Sequence, residues 1–521
     1  MKIKTLVTVL LTPALIDPLL CALLVALAFP PFDLWPLALL GWAWLIRPML
    51  SGNSTLSGRS NGIRLAAHFA TYSVAVNLFG FYWLSYTLRE FGGIPWPLAV
   101  ILMLLLFAVF GIFPGLVGYI WGRYSSRIPK NLRPLVLWIV LILFDGIDLR
   151  LFPWSPVMSV GGNDTLMTSV HFLGTWGWRF LFFGLATFLS IIPSFPLKKR
   201  IRWAIGVSAT LLVFGIGYGF GAMEGNLLRR RYSERQPVAL IQGNVGNYEK
   251  RLSKLQVMPT VENVLNIHRE LIERAAIHFG DTASQGIEPW IAWPETSFPG
   301  YPLDNGNYQK IMENWARITR GLHLVGAYEN ALDTFAGAQT PLEFNIVALF
   351  HEQGGEVASY RKNIRLMFGE YIPGDEMFPW LYKILPAVNH FGHGREPKPL
   401  PHPDPNGPIF IPLVCYELLF EGFLDRFVEK AQKEYPGHLM VLVNPSNDSW
   451  YGSTSEPFQN AFLSRWAAAR KGLPLLRPTN TGLSMVIAPW GEIMAQGPRN
   501  EADVIFGELP VDHVQNRTVR D

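Results

Sequence analysis

The feature that most constrains this chain is a change of texture near residue 222. Before it, long apolar stretches alternate with short basic or Pro/Gly-rich breaks; after it, the sequence reads as a water-facing α/β domain. A helix needs about 20 apolar residues to cross a bilayer core. Seven stretches approach that length, near 8–29, 34–50, 64–88, 96–121, 134–149, 166–193 and 202–221. The second and fifth are short, and Pro13, Asp17 and Pro18 interrupt the first. Proline and glycine inside a span, as in Phe113-Pro114-Gly115, are tolerated in membrane helices. Composition agrees: half of the 521 residues are hydrophobic and 16% are charged, against roughly 25% charged in a typical soluble domain. A disordered chain is excluded. A net charge of +4 over this length does not suggest a nucleic-acid partner. Cys21 and Cys415 are too far apart in sequence to form a disulfide scaffold or a Cys-rich metal cluster.

The loop charges orient the spans. With the N-terminus inside, the inner segments carry Lys2, Lys4, Arg47, Arg59, Arg64, Arg123, Arg127, Lys130, Arg133, Lys198, Lys199, Arg200 and Arg202, whereas the outer short loops carry only Arg89 and Arg150. This asymmetry follows the positive-inside rule. Seven spans then place residues 223–521 on the outer face, with the polar tail Val511–Asp521 remaining there. No small-x-small cleavage site follows the first apolar run, which argues against a removed signal peptide. Asp17, Asp145 and Asp148 lie near membrane depth, and their positions suit span ends rather than an ion path. The membrane half shows no internal repeat of the kind many transporters carry.

Residues 223–521 alternate short apolar runs with helical stretches. Strands are expected at 237–242, 289–293, 322–329, 344–351, 409–415, 439–443, 483–487 and 504–509, with an amphipathic helix over 260–279. Apolar runs of this length between turn residues suit strands buried on both faces. In such sheets, chemistry gathers beyond the carboxyl ends of strands. Glu295 follows the 289–293 run, Lys362 follows the extended stretch Ala358-Ser-Tyr360, and Cys415 ends the 409–415 run. A free thiol has a pKa of about 8.5 and needs activation at neutral pH. A carboxylate can take its proton, and a lysine can stabilise an oxyanion. Each residue also has a plainer reading as core filler or solvated surface, and spacing alone does not bring the three together. His390 and His393 have a ligand-like spacing that reads as surface loop.

The motifs Trp293-Pro294-Glu295, Tyr360-Arg-Lys362 with Phe368-Gly369-Glu370-Tyr371, and Val414-Cys415-Tyr416-Glu417 resemble those of the nitrilase, or carbon–nitrogen hydrolase, superfamily. With a multi-span region ahead of them, the chain resembles the apolipoprotein N-acyltransferase family. The likeness extends through Phe29-Pro-Pro-Phe-Asp33-Leu-Trp35-Pro36, Phe152-Pro-Trp154, Ala239-Leu-Ile-Gln242-Gly243-Asn244, Asn447-Asp-Ser-Trp450-Tyr-Gly452 and Arg477-Pro-Thr479-Asn480-Thr-Gly482. The resemblance implies a polytopic helical membrane domain over 1–222 and a periplasmic α-β-β-α sandwich over 223–521, in a bacterial inner membrane. It implies acyl transfer from a phospholipid, typically phosphatidylethanolamine, through a thioester on Cys415 to the free amine of an S-diacylglyceryl-cysteine apolipoprotein. Glu295 would be the general base and Lys362 the oxyanion stabiliser. Glu370, Tyr416 and Glu417 would support them, and Trp450 would line the pocket. Neither cofactor nor metal is implied, and a monomer is expected. A membrane-tethered amidase would use the same triad, with water resolving the thioester. A non-catalytic scaffold is disfavoured, since decay should remove reactive residues first. The chain departs from the family pattern at Arg365-Leu366-Met367, where Leu-Val-Pro is usual. It also lacks the usual final membrane helix.

Overall fold

The computed structural model describes residues 13–50, 58–90, 92–148, 150, 152–246, 250, 252, 257–335, 337–351, 355–384 and 388–512. Residues 8–12 of the first expected span, and most of the polar tail, lie outside them. The chain forms two compact units that divide close to residue 225.

The first unit is helical. Helices occupy each of the seven apolar windows: Pro13–Leu27, Pro36–Leu45 continued by Arg47–Leu50, Gly58–Gly80 followed by Leu84–Glu90, Trp96–Tyr124, Arg133–Ile147, Asp164–Ile191 and Lys199–Arg231. Among the described residues, three helical stretches are long and apolar enough to cross a membrane: Trp96–Arg127, Asp164–Ser194 and Lys199–Arg231. The window at 166–193 is not one straight helix. Gly174 adopts φ 62° and ψ 175° inside it, which breaks the helical path. The helices Gly58–Gly80 and Trp96–Tyr124 pack at close range because glycine leaves room for backbone. A Cβ at Gly118 would lie 2.5 Å from the Leu65 carbonyl oxygen. Small residues commonly permit such approach between membrane helices. Asp145 is 3% exposed near the end of Arg133–Ile147, as expected for a span end. Its oxygens pair with Arg150 and Arg179, each at 2.7 Å, and accept from Ser155 at 2.6 Å. A buried carboxylate with this many donors is a structural tie.

The second unit is a two-sheet sandwich. Its strands are β1 (Glu234–Gln242), β2 (Trp290–Ala292), β3 (Leu322–Phe335), β4 (Ala338–His351), β5 (Gly355–Arg361), β6 (Leu400–Pro401), β7 (Ile409–Pro412), β8 (Met440–Val443), β9 (Leu475–Arg477), β10 (Met485–Ile487), β11 (Ile493–Gln496) and β12 (Asp503–Val511). One sheet runs β12-β1-β2-β3-β4-β5 and the other β11-β10-β9-β8-β7-β6. Each has a parallel trio, β1-β2-β3 or β7-β8-β9, flanked by antiparallel strands. The helices Met258–Ser284 and Gly306–Thr319 cover the first sheet; Glu421–Glu434 and Glu456–Lys471 pack on the second. In Met258–Ser284, Val261, Val264, His268, Leu271, Ala275 and Phe279 recur every three or four residues and are all buried. That spacing puts them on one helical face, and most of them join Ala239, Ile241, Ile291 and Val325 of the first sheet in one core.

The sequence expectation for residues 409–415 needs one correction. The strand stops at Pro412, and Cys415 opens a separate one-turn helix, Cys415–Leu419. The ladder persists through Leu413, whose N–H donates to the Val443 carbonyl at 2.8 Å. The Val414 N–H instead donates to the Glu417 side chain at 2.7 Å, and this turns the chain out of the sheet.

Gly326 on β3 allows the turn after β2 to lie against the sheet. A Cβ there would meet the Pro294 carbonyl oxygen at 2.1 Å and the Glu295 Cα at 2.8 Å. Overpacking of this kind costs about 1–3 kcal/mol. Gly326→Ala is therefore expected to lower the thermal unfolding midpoint of the detergent-solubilised protein and to reduce its activity. An unchanged midpoint with full activity would show that the turn yields freely.

Candidate active site

Three strand ends carry the expected triad. Glu295 follows β2, in a turn where Thr296 takes a left-handed φ of 47°. Lys362 follows β5 and extends its ladder by donating its N–H to the Asn345 carbonyl of β4 at 2.9 Å. Cys415 follows β7 with a φ of 56°, a conformation that side chains rarely adopt and that often marks functional sites. Its N–H donates to the Pro445 carbonyl at 2.8 Å, and Asn444 Nδ2 donates to the Cys415 carbonyl at 2.7 Å. The Cys415 backbone is thus pinned on both sides.

Side chains join these ends. Lys362 Nζ lies 2.7 Å from Glu370 Oε1 and 3.3 Å from Glu295 Oε1. Asn345 Nδ2 donates to the same Glu295 oxygen at 2.6 Å. The Leu366 N–H holds the other Glu370 oxygen at 2.8 Å. All four side chains are buried. Glu417 ties the two sheets together at this edge. It accepts from the N–H groups of Asn363 at 2.6 Å, Ile364 at 2.8 Å and Val414 at 2.7 Å, and from the Tyr360 hydroxyl at 3.1 Å. The lysine-bearing and cysteine-bearing segments therefore share one carboxylate.

Electrostatics follow from this packing. Burial opposes the Lys362 charge, but Glu295 and Glu370 outweigh it and hold the ammonium well above its ordinary pKa. Burial pushes the Cys415 thiol well above its usual value, and the Glu295 carboxylate adds to the effect, against the pull of Lys362. Burial also lifts Glu417 to about 7, against Lys362 and the backbone N–H groups that hold it. The resting thiol therefore keeps its proton.

The other expected residues fall as follows. Glu370 sits within the cluster. The Tyr416 ring lies 5.9 Å from Lys362 Nζ, and its hydroxyl donates to the Arg365 carbonyl at 2.5 Å. Trp450 is half-buried in the one-turn helix Asp448–Tyr451, where its neighbour Tyr451 is the fully buried one. The unusual Arg365 anchors its loop, donating to the Phe391 carbonyl at 2.8 Å and stacking over the Tyr371 ring at 4.3 Å. His390 packs against Phe335 and Tyr382. Three of the residues that hydrogen-bond here were not singled out from sequence: Asn345, Asn444 and Lys250. Lys250 Nζ donates to the Glu295 carbonyl at 3.2 Å, and burial brings its pKa down to about 7.

A thiol held protonated reacts slowly with alkylating agents at neutral pH, because the thiolate is the nucleophile. In a Cys21→Ala background, iodoacetamide labelling of Cys415 should be slow near neutrality and should still be rising above pH 9. A rate that levels off below pH 9 would mean that the thiolate forms more easily than this packing allows.

Known proteins resemble this chain along both of its halves. Residues 237–517 match the family model described as carbon–nitrogen hydrolase. Residues 21–188 match the apolipoprotein N-acyltransferase N-terminal domain. An apolipoprotein N-acyltransferase of Bdellovibrio bacteriovorus is 28% identical over 85% of this chain and 79% of its own length. One from Azotobacter vinelandii is 26% identical over 93% of this chain and 87% of its own. A solved structure, Saccharomyces cerevisiae Nit3 of branch 10 of the nitrilase superfamily, covers 53% of this chain and 90% of its own, at 16% identity and a TM-score of 0.35. With one family model over its catalytic half and the other over its helical half, the chain belongs to the carbon–nitrogen hydrolase family, in its apolipoprotein N-acyltransferase branch.

Proposed function

We propose that this protein N-acylates lipoproteins through a thioester on Cys415, taking the acyl chain from a phospholipid such as phosphatidylethanolamine. The observation that carries the reading is the Lys362 ammonium fixed between Glu295 and Glu370, at the edge that also bears Cys415. The Cys415 sulfur attacks the ester carbonyl while its proton passes to Glu295. Lys362 faces the oxyanion, a task for which preorganised charge in a water-poor site is effective. The ester C–O bond breaks, Glu295 returns the proton to the departing lysophospholipid, and a thioester remains. The α-amine of a diacylglyceryl-cysteine then attacks the thioester, the C–S bond breaks, and the thiol is restored. Glu370 and Asn345 act as positioning residues for Lys362 and Glu295. The apolar helices of the first unit suit an enzyme whose two substrates are lipid-anchored.

Incubation with phospholipid should leave a hydroxylamine-sensitive acyl adduct on Cys415, visible by intact-protein mass spectrometry. Cys415→Ser should abolish transfer, and Glu295→Gln should block adduct formation. Lys362→Ala should slow it by on the order of 10²-fold or more. Transfer that persists in Cys415→Ser would overturn the nucleophile assignment.

The reading also requires an orientation. We read residues 223–521 as periplasmic, at a bacterial inner membrane, from the seven expected spans with basic inner loops, and the protein as a monomer. Alkaline phosphatase fused after Asp512 should be active in cells. An inactive fusion, paired with a fluorescent green fluorescent protein at the same site, would put the catalytic unit on the cytoplasmic side.

A further inference from the structure

Four consecutive residues after Lys362 touch the site through their backbone. The N–H groups of Asn363 and Ile364 donate to Glu417 at 2.6 and 2.8 Å. The Arg365 carbonyl accepts from the Tyr416 hydroxyl at 2.5 Å, and the Leu366 N–H donates to Glu370 Oε2 at 2.8 Å. Glu370 Oε1 in turn lies 2.7 Å from Lys362 Nζ. Met367 and Phe368, which follow, are exposed, so they contribute little packing to hold this strap in place. Phe368 also takes a left-handed φ of 60°. That conformation is costly for a bulky residue and persists only where its surroundings enforce it.

The Arg365 side chain, 11% exposed, supplies a restraint. Its Nη1 donates to the Phe391 carbonyl at 2.8 Å, and its guanidinium lies over the Tyr371 ring. Hydrogen bonds from an ionised donor are stronger than neutral ones. Phe391 is itself fixed on both sides. Its N–H donates to the Glu370 carbonyl at 2.9 Å, and the next N–H, of Gly392, donates to the Glu343 carbonyl of β4 at 2.8 Å. These bonds close a circuit. The Arg365 side chain reaches Phe391, Phe391 holds the Glu370 backbone, and the Glu370 carboxylate returns to Leu366, the neighbour of Arg365. One guanidinium thus joins the two segments that hold the main chain and the carboxylate of Glu370. The circuit is referred to β4, the strand whose Asn345 donates to Glu295.

Resting on the acyl-transfer reading above, we propose that Arg365 is a positioning residue for acylation, fixing the strap that holds Glu370 against Lys362. It acts on the reacting atoms only through that strap. Without the guanidinium, the strap loses its tie to β4 through Phe391, and the Glu370 carboxylate moves with it. Lys362 then loses the fixed direction of its nearer counter-charge, and its ammonium no longer meets the developing oxyanion at a set point. Preorganised charge is effective only while its position is fixed. The fold itself should survive the loss. Asp375, the buried carboxylate 3.8 Å from Arg365 Nη1, also accepts from the Tyr382 hydroxyl at 2.7 Å and from the Glu376 N–H at 3.0 Å.

The test is single-turnover acylation of Cys415 by phosphatidylethanolamine in detergent micelles, followed by intact-protein mass spectrometry over a range of phospholipid concentrations. Rates are normalised to folded protein. Arg365→Leu should lower the saturating rate about 10- to 100-fold, as a small misplacement of a catalytic group does, and leave the half-saturating concentration unchanged. Arg365→Lys keeps a cationic donor for the Phe391 carbonyl but not the planar stack, so its rate should fall between. Tyr416→Phe releases the same strap at the Arg365 carbonyl. The double variant Arg365→Leu/Tyr416→Phe should therefore be slowed by less than the product of the two single effects. Effects that simply multiply, or an unchanged rate per folded molecule in Arg365→Leu, would overturn the proposal. So would a higher half-saturating concentration at an unchanged saturating rate, which would make Arg365 a phospholipid contact. A wild-type protein that forms no adduct would instead overturn the acyl-transfer reading itself.

Discussion

The site depends on one buried cation. Lys362 is 3% exposed, and an ammonium in that environment survives only with close counter-charges. Glu370 at 2.7 Å and Glu295 at 3.3 Å supply them. The two carboxylates are in turn usable only because the lysine lies between them. Removing any member leaves an uncompensated charge in the interior, so the three must be read as a unit. Burial above all, with Glu295 adding to it, keeps the adjacent thiol protonated.

Glu417 does for the backbone what Lys362 does for the side chains. Its two oxygens collect donors from the segment after β5 and the segment after β7. The first segment belongs to one sheet and the second to the other. A shift of either sheet edge would therefore disturb both Lys362 and Cys415. Gly326 completes this registration from the third side, by letting the Glu295 turn lie against β3.

Much of this was legible in the sequence, for identifiable reasons. The apolar runs at 237–242 and 322–329 are buried on both faces over most of their length, so composition alone marked them, and Glu295, Lys362 and Cys415 stand where strand ends place chemistry. The short strands β6, β9 and β11, of two to four residues, offer too little pattern to detect. Asn345 was hidden because its role is set by a register between β4 and β5 that no local signal encodes. The break at Gly174 was missed because the surrounding residues remain apolar on both sides of it.

The protonated state of Cys415 has a chemical consequence beyond acyl transfer. Oxidation to sulfenic acid and exchange with disulfides both proceed through the thiolate. A thiol that is 6% exposed and held in its neutral form offers little of that species to oxidants. Cys415 is free in the structure. The same burial and neighbouring carboxylates that keep the proton on Cys415 therefore also slow its oxidation, so this sulfur needs no protecting disulfide.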